Sequence, residues 1–310
     1  MPGRDDKALA DLVEFGRLSV AACDVEPWAA TIAAMTRPAV VGQHALSREG
    51  ALWMLTLYNT TDDLKSALSI KAVADTPAAW RRATRADRQV VVALPIGRER
   101  RNLYGGKILL RMDDYVSRLG HQEQARWFGE TALFADPLLN FGHTMINLQR
   151  VWGVGRLAAF EWAEFLRKID GLNIDTDDAA LWESSGPRQS IERIYRESAP
   201  GRAWLTARAV DLKTHLAAEG VDLSWWDFET LICDFNVMRK GRYYPGKHLA
   251  MLSAEIAALP EPWRGAWRAA YDSVIPAQWR DVAPGVDRRL ESHYARSGEI
   301  RTPLPDTAEV

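Results

Sequence analysis

The chain has 310 residues, 47% of them hydrophobic and 26% charged, with a formal net charge of −2 at pH 7. That composition excludes wholesale disorder, and the near-neutral balance argues against a protein that coats nucleic acid indiscriminately. No apolar run approaches the ~18 residues of a membrane span, Met1 to Gly16 is too charged for a secretory signal, and two distant cysteines, Cys23 and Cys233, supply neither a disulfide framework nor a four-cysteine metal site, so a cytoplasmic protein with reduced thiols is expected.

Helical periodicity opens the chain. Pro27 to Met35 and Ser47 to Ile70 carry apolar residues at spacings of three and four, with Ser47 as an N-cap and a polar interruption, Asn59-Thr60-Thr61-Asp62, that restarts a helix at Thr60 or Thr61. Arg88 to Gly97 is the one strand-like run, closed by Pro95 and Gly97. Helical patterns return over 113–120, 125–134, 140–152, 156–169, 191–198, 207–220, 226–240, 248–259 and 263–274. The fold class is therefore mainly α, without solenoid repeats or low-complexity linkers. A domain over 1–298, built of two packed lobes, and a flexible tail over 299–310 are expected. Most of the 13 tryptophans are expected in the core.

Charge is unevenly distributed. Residues 81–111 hold nine basic side chains against Asp87 and Glu99, a local excess of 9 − 2 = +7, whereas 161–183 hold seven acids against Arg167 and Lys168. The first stretch invites phosphate and the second does not. The six histidines show neither a His-Glu-x-x-His pattern nor paired carboxylate spacing, and Walker and dinucleotide fingerprints are lacking, so no metal and no cofactor is expected.

The most informative stretch runs from Val151 to Thr176. A helix ending near Gln149, a turn through Gly153-Val154-Gly155 and a new helix from Arg156 would gather unpaired backbone amides at one point, a ready anion site. Two glycines would let that turn take positive φ. Taken alone, the pattern suits a plain connection between packed helices better than an anion site. Asp175 follows Gly155 by twenty residues, within Asn173-Ile174-Asp175-Thr176.

Gly153, Val154, Gly155 and Arg156, followed by Asp175, resemble the hairpin and catalytic aspartate of helix-hairpin-helix DNA glycosylases, over roughly Ser47 to Arg196. The resemblance implies a two-lobed helical fold, DNA contact by the hairpin, and base flipping, with Tyr58, Asn59 and Thr60 in the region that enters the gap left by the base; Asn59 as a helix cap is the alternative. Leu157 stands where bifunctional members carry a Schiff-base lysine, so lyase chemistry is not expected. With Leu94 to Lys107 and Glu229 to Leu249, the chain looks like a glycosylase-derived bacteriophage family, the α-glutamyl/putrescinyl-thymine pyrophosphorylases or amino acid:DNA transferases. Membership would imply double-stranded DNA carrying a modified thymine as one substrate and a small amine or amino acid as the other. It would also place the protein in the host cytoplasm. A monofunctional glycosylase and a non-catalytic helix-hairpin-helix DNA-binding protein are the alternatives.

Displacing pyrophosphate from the 5-methylene of a flipped base needs cations for the leaving group, and guanidinium forks suit it. Arg98, Arg100 and Arg101 are the candidates, or else a solvated basic loop touching the DNA backbone. The amine needs a proton acceptor, for which Asp175 is the first candidate. Cys233 is either a nucleophile for C6 of the pyrimidine or a packed core thiol, and Glu229 and Asp234 are weaker acid/base candidates. Lys240 and Arg242, with Tyr243 and Tyr244, suit backbone contact and stacking on bases, or a surface loop.

Overall fold

The computed structural model describes residues 4–178, 180–198 and 201–304; the side chains of Arg98 and Arg101 lie outside the described residues. In chain order the helices are α1 (Asp6–Ala22), α2 (Pro27–Ala34), α3 (Pro38–Val41), α4 (Arg48–Thr61), α5 (Leu64–Val73), α6 (Pro77–Arg82), α7 (Arg85–Val92), α8 (Lys107–Leu119), α9 (Gln124–Gly129), α10 (Pro137–Gln149), α11 (Arg156–Asp170), α12 (Ser185–Ile194), α13 (Arg202–Ala218), α14 (Trp225–Arg239), α15 (Lys247–Ala257), α16 (Trp263–Val274) and α17 (Arg288–Ser297). No strand occurs among the described residues, so the fold is mainly α as expected. None of the described helices is long and apolar enough to cross a membrane.

The chain divides into two compact units. A terminal unit comprises residues 1–27, 176–254 and 274–310, and a central unit comprises 28–175 and 255–273. The terminal unit has its own core, in which Leu12 and Phe15 of α1, Ile191 of α12, Leu212 of α13, and Ile232 and Phe235 of α14 are buried together. Of the segment expected to be a tail, Ile300 packs against this core, and Pro303 lies 3.1 Å from where a β-carbon on Gly246 would stand; residues 305–310 lie outside the described residues.

The central unit is organised around α4. Ser47 caps it by accepting from the Gly50 amide at 3.1 Å, as its position predicts. From Ala51 to Thr61 every residue is buried, so α4 is covered on all sides rather than amphipathic. Its polar end is made compatible with burial by back-bonding: Thr56, Thr60 and Thr61 donate to the carbonyls four residues earlier, Leu52, Thr56 and Leu57, at 2.8–2.9 Å. At its other end Arg48 forms a bidentate ion pair with buried Asp170 at the end of α11, which runs antiparallel to α4.

Two local expectations are corrected. The helix does not restart at Thr60 or Thr61: α4 continues to Thr61, Asp62 closes it in the left-handed conformation (φ 52°), and Asp63 caps α5 by accepting from Ser66 N at 2.7 Å. The strand-like run is helical from Arg85 to Val92. Thr84 and Asp87 form a reciprocal capping box, and Val91 alone is buried among Val90, Val91 and Val92, a pattern that fits one helical face and no sheet.

Candidate functional site

The break after α4 is built by a close approach. Gly97 donates to the Thr61 carbonyl at 2.7 Å, and a β-carbon on Gly97 would lie 2.1 Å from the Asp62 carbonyl oxygen. Only glycine fits there. This contact seats the 3-10 turn Arg98–Leu103 over the end of α4, where the Glu99 amide donates to Asp62 Oδ2 at 3.1 Å.

Arg100 of that turn is buried, which overturns the alternative of a solvated loop at this residue. Its Nε donates to the Asn59 carbonyl at 2.6 Å, and its Nη2 pairs with Glu161 of α11. Asn59 is not a helix cap; it lies within α4, its Nδ2 donates to the Ala158 carbonyl at 3.1 Å, and its Oδ1 accepts from Arg111 Nη2 at 2.5 Å. Arg111, also buried, sits 5.7 Å from the Trp162 ring centroid. Tyr58 is stacked between Trp28 at 6.2 Å and Phe165 at 6.1 Å. Thus Tyr58, Asn59 and Thr60 are interior groups, and none projects from the protein surface to fill a gap in DNA.

Electrostatics mark the same region. Burial pushes the Asp62 carboxyl up to about 6, with the Arg100 charge opposing the shift. Burial raises Glu255, which accepts from Leu64 N at 3.1 Å and Trp28 Nε1 at 3.4 Å, to about 8. Burial and the neighbouring Arg100 charge lower Arg111 to about 9. Asp62, Arg111, Glu161 and Glu255 were not identified as site residues from sequence. A signal existed for two of them. Arg111 occupies a place in the stripe Ile108, Met112, Tyr115, Leu119 that is otherwise apolar, and Glu255 is the lone acid in the apolar run 248–259.

The hairpin connects α10 to α11. Trp152, Gly153 and Gly155 are exposed, Val151 and Val154 are buried, and the Trp152 amide donates to Asp114 Oδ2 at 2.7 Å. Of the two glycines only Gly153 takes positive φ (73°); Gly155 is extended and precedes α11 without a side-chain cap. Arg156 lays its guanidinium over Phe160 at 5.1 Å, and Leu157 is exposed. Asp175 lies beyond the far end of α11, about 22 Å of helix from the hairpin; it pairs with Arg167 at 2.8 Å, and its amide donates to the Pro137 carbonyl at 3.1 Å. The structure therefore brings Asn59 and Arg100 together beside the first turns of α11, with Tyr58 against Phe165 farther along it, and places Asp175 beyond the far end of that helix.

The remaining candidates belong to the terminal unit. Glu229 is buried and accepts from Ser184 Oγ at 2.8 Å. Cys233 is half-buried, with Sγ 2.9 Å from the position of a β-carbon on Gly186, a fit that favours its packing alternative. Lys240 and Arg242 are exposed, and Lys240 donates to Gln189 Oε1 at 2.8 Å. Tyr243 and Tyr244 are buried, so they offer no platform for bases. Tyr243 instead donates to Asp24 Oδ2 at 2.9 Å, and the same carboxylate accepts from the amides of Gly246 and Leu249, closing the start of α15. Burial raises Asp24 to about 6 and Asp234, on α14, to about 8.

A profile for the family described as amino acid:DNA transferase matches residues 37–244, about two thirds of the chain. The chain belongs to the amino acid:DNA transferase family. The match runs from before α4 through α14 and includes the buried Asn59–Arg100–Arg111 cluster, the hairpin and Asp175. No curated protein matches the chain.

Proposed function

We propose that this member of the family replaces pyrophosphate on the 5-methylene of a flipped, thymine-derived base in double-stranded DNA with an amine or amino acid, on a helix-hairpin-helix glycosylase scaffold. The observation that carries the reading is that α11 serves two purposes. Its exposed start leaves first-turn amides without a side-chain cap, as a DNA phosphate requires, and its next turns hold Arg100 through Glu161 and Asn59 through the Ala158 carbonyl. A backbone contact and a buried cation cluster are thus tied to one rigid element.

In this reading the hairpin of Gly153, Val154, Gly155 and Arg156 holds the DNA strand through the amides at the start of α11, the Val154 amide being taken by the Val151 carbonyl at 3.0 Å. Arg100, with Arg98 and Arg101, receives the charge that builds on the leaving pyrophosphate, and Lys240 and Arg242 contact backbone. The carbon–oxygen bond to pyrophosphate breaks, a carbon–nitrogen bond forms, and the ammonium proton released passes to a carboxylate. Asp175 is the residue implied by the family resemblance; Asp62 and Glu255 are alternatives, because burial brings their proton affinities nearer neutrality.

The test is to incubate DNA containing 5-pyrophosphoryloxymethyl-deoxyuridine with the protein, with and without an amine donor, and digest it to nucleosides. An aminated thymidine together with released pyrophosphate supports transfer. Abasic sites formed without donor would establish a glycosylase instead, and an unchanged base bound to protein would leave a DNA-binding module.

A further inference from the structure

Arg111 has a role that neither the hairpin nor the leaving-group arginines account for. It is 1% exposed, and among the described residues its only side-chain acceptor within hydrogen-bond distance is Asn59 Oδ1 on Nη2. Nε and Nη1 have no hydrogen-bond partner among the described residues. Three N–H bonds of a guanidinium are therefore buried without an acceptor. The nearby carboxylate, Glu161, acts on Arg111 through its charge but gives its hydrogen bond to Arg100. A buried cation left this way is costly, and an arginine placed only for packing would be replaced by an apolar side chain without loss. The side chain is nevertheless fixed in direction, by Asn59 at one edge and by the Trp162 face. Glu161, about a third exposed, is the cluster's edge to solvent.

We propose that Arg111, held by Asn59 and Trp162, is a receptor for a substrate oxyanion, either the carboxylate of the incoming amino acid or a phosphate oxygen of the pyrophosphate. The identity of the anion rests on the transferase reading; the existence of the receptor does not. The anion takes the free N–H bonds of Nε and Nη1. Arg111 thereby contributes substrate selection beside Arg100, whose Nη2 pairs with Glu161.

The experiment is calorimetric titration and thermal unfolding of the full chain with three probes: inorganic pyrophosphate, glycine, and ethylamine, which lacks the carboxylate. Binding of pyrophosphate alone assigns the site to the leaving group, binding of glycine but not ethylamine assigns it to the donor carboxylate, and either raises the melting temperature. Arg111→Met should weaken that binding at least tenfold and, without ligand, melt no lower than the wild type. Arg111→Lys keeps the charge but not the fork, and should weaken binding by a smaller factor. Wild-type affinity in Arg111→Met, absence of binding by both anions, or unfolding of both variants would overturn the proposal. A wild-type enzyme that transfers but binds neither anion counts against Arg111 alone; anion binding without transfer counts against the transferase reading alone.

Discussion

Gly97 stands against Asp62 with no room for a side chain: a β-carbon would fall 2.1 Å from the Asp62 carbonyl oxygen and 2.3 Å from Oδ2. Because the Gly97 amide also holds the Thr61 carbonyl, this one contact sets the position of the turn that carries Arg100. Gly97→Ala should therefore lower stability by about 1–3 kcal/mol and reduce transfer by displacing the turn. Chemical denaturation and the nucleoside assay measure the two effects. A variant with wild-type stability and rate would show that the turn is not held by this approach.

The two hairpin glycines should respond differently. Gly153 has φ 73°, and a β-carbon there would lie 3.2 Å from Leu103 Cδ2, so Gly153→Val combines left-handed strain with crowding. A cost of about 1–3 kcal/mol and weaker DNA binding are expected. Gly155 is extended with open space at its β-carbon position, so Gly155→Ala should change stability by less than about 0.5 kcal/mol. Equal losses at both positions in denaturant titrations would contradict the turn geometry.

Much of this arrangement was legible in the sequence, for identifiable reasons. The cap at Ser47, the α10–hairpin–α11 unit and the mainly α class follow from local chemistry, and local chemistry survives packing. The errors arose where burial overrode local appearance. Three consecutive valines read as strand, yet the Thr84–Asp87 box starts a helix that buries only Val91. Tyr58, Asn59, Tyr243 and Tyr244 read as groups for DNA, yet all four are buried. Glu255 and Arg111 stand out in the sequence as single charges on apolar helix faces, but their partners, Leu64 and Asn59, are distant in sequence and only the packing of α15 and α8 supplies them.

Asp175 makes a clean separation of structure from chemistry. Its ion pair with Arg167 is about a third exposed on both sides, so Asp175→Asn should cost less than about 1 kcal/mol. If Asp175 accepts the amine proton, the same change should slow transfer by about 100-fold or more with DNA affinity held within a few-fold. Single-turnover rates beside binding isotherms decide it. An unaltered rate would pass the role to Glu255 or Asp62.

Stability should fall as pH rises from about 5 to 8.5. Burial raises Glu255 from its ordinary value of 4.5 to about 8, against the Leu64 amide and with Asp63 and Asp62 adding repulsion, and it raises Asp234 to about 8 and Asp24 and Asp62 to about 6. In each case the folded chain keeps a proton that the unfolded chain releases near pH 4. The associated stability is complete below the unfolded pKa and is lost as pH climbs through the folded one, with a slope of up to about 1.4 kcal/mol per pH unit for each group. His248 is lowered by burial, so it opposes the trend just below its ordinary 6.5. Glu255→Gln keeps an acceptor for Leu64 N but carries no ionisable group, so its denaturation midpoint should decline less steeply between pH 5 and 8 and exceed the wild type at pH 8.5. Parallel curves for the two proteins would show that Glu255 is ionised in the fold throughout this range.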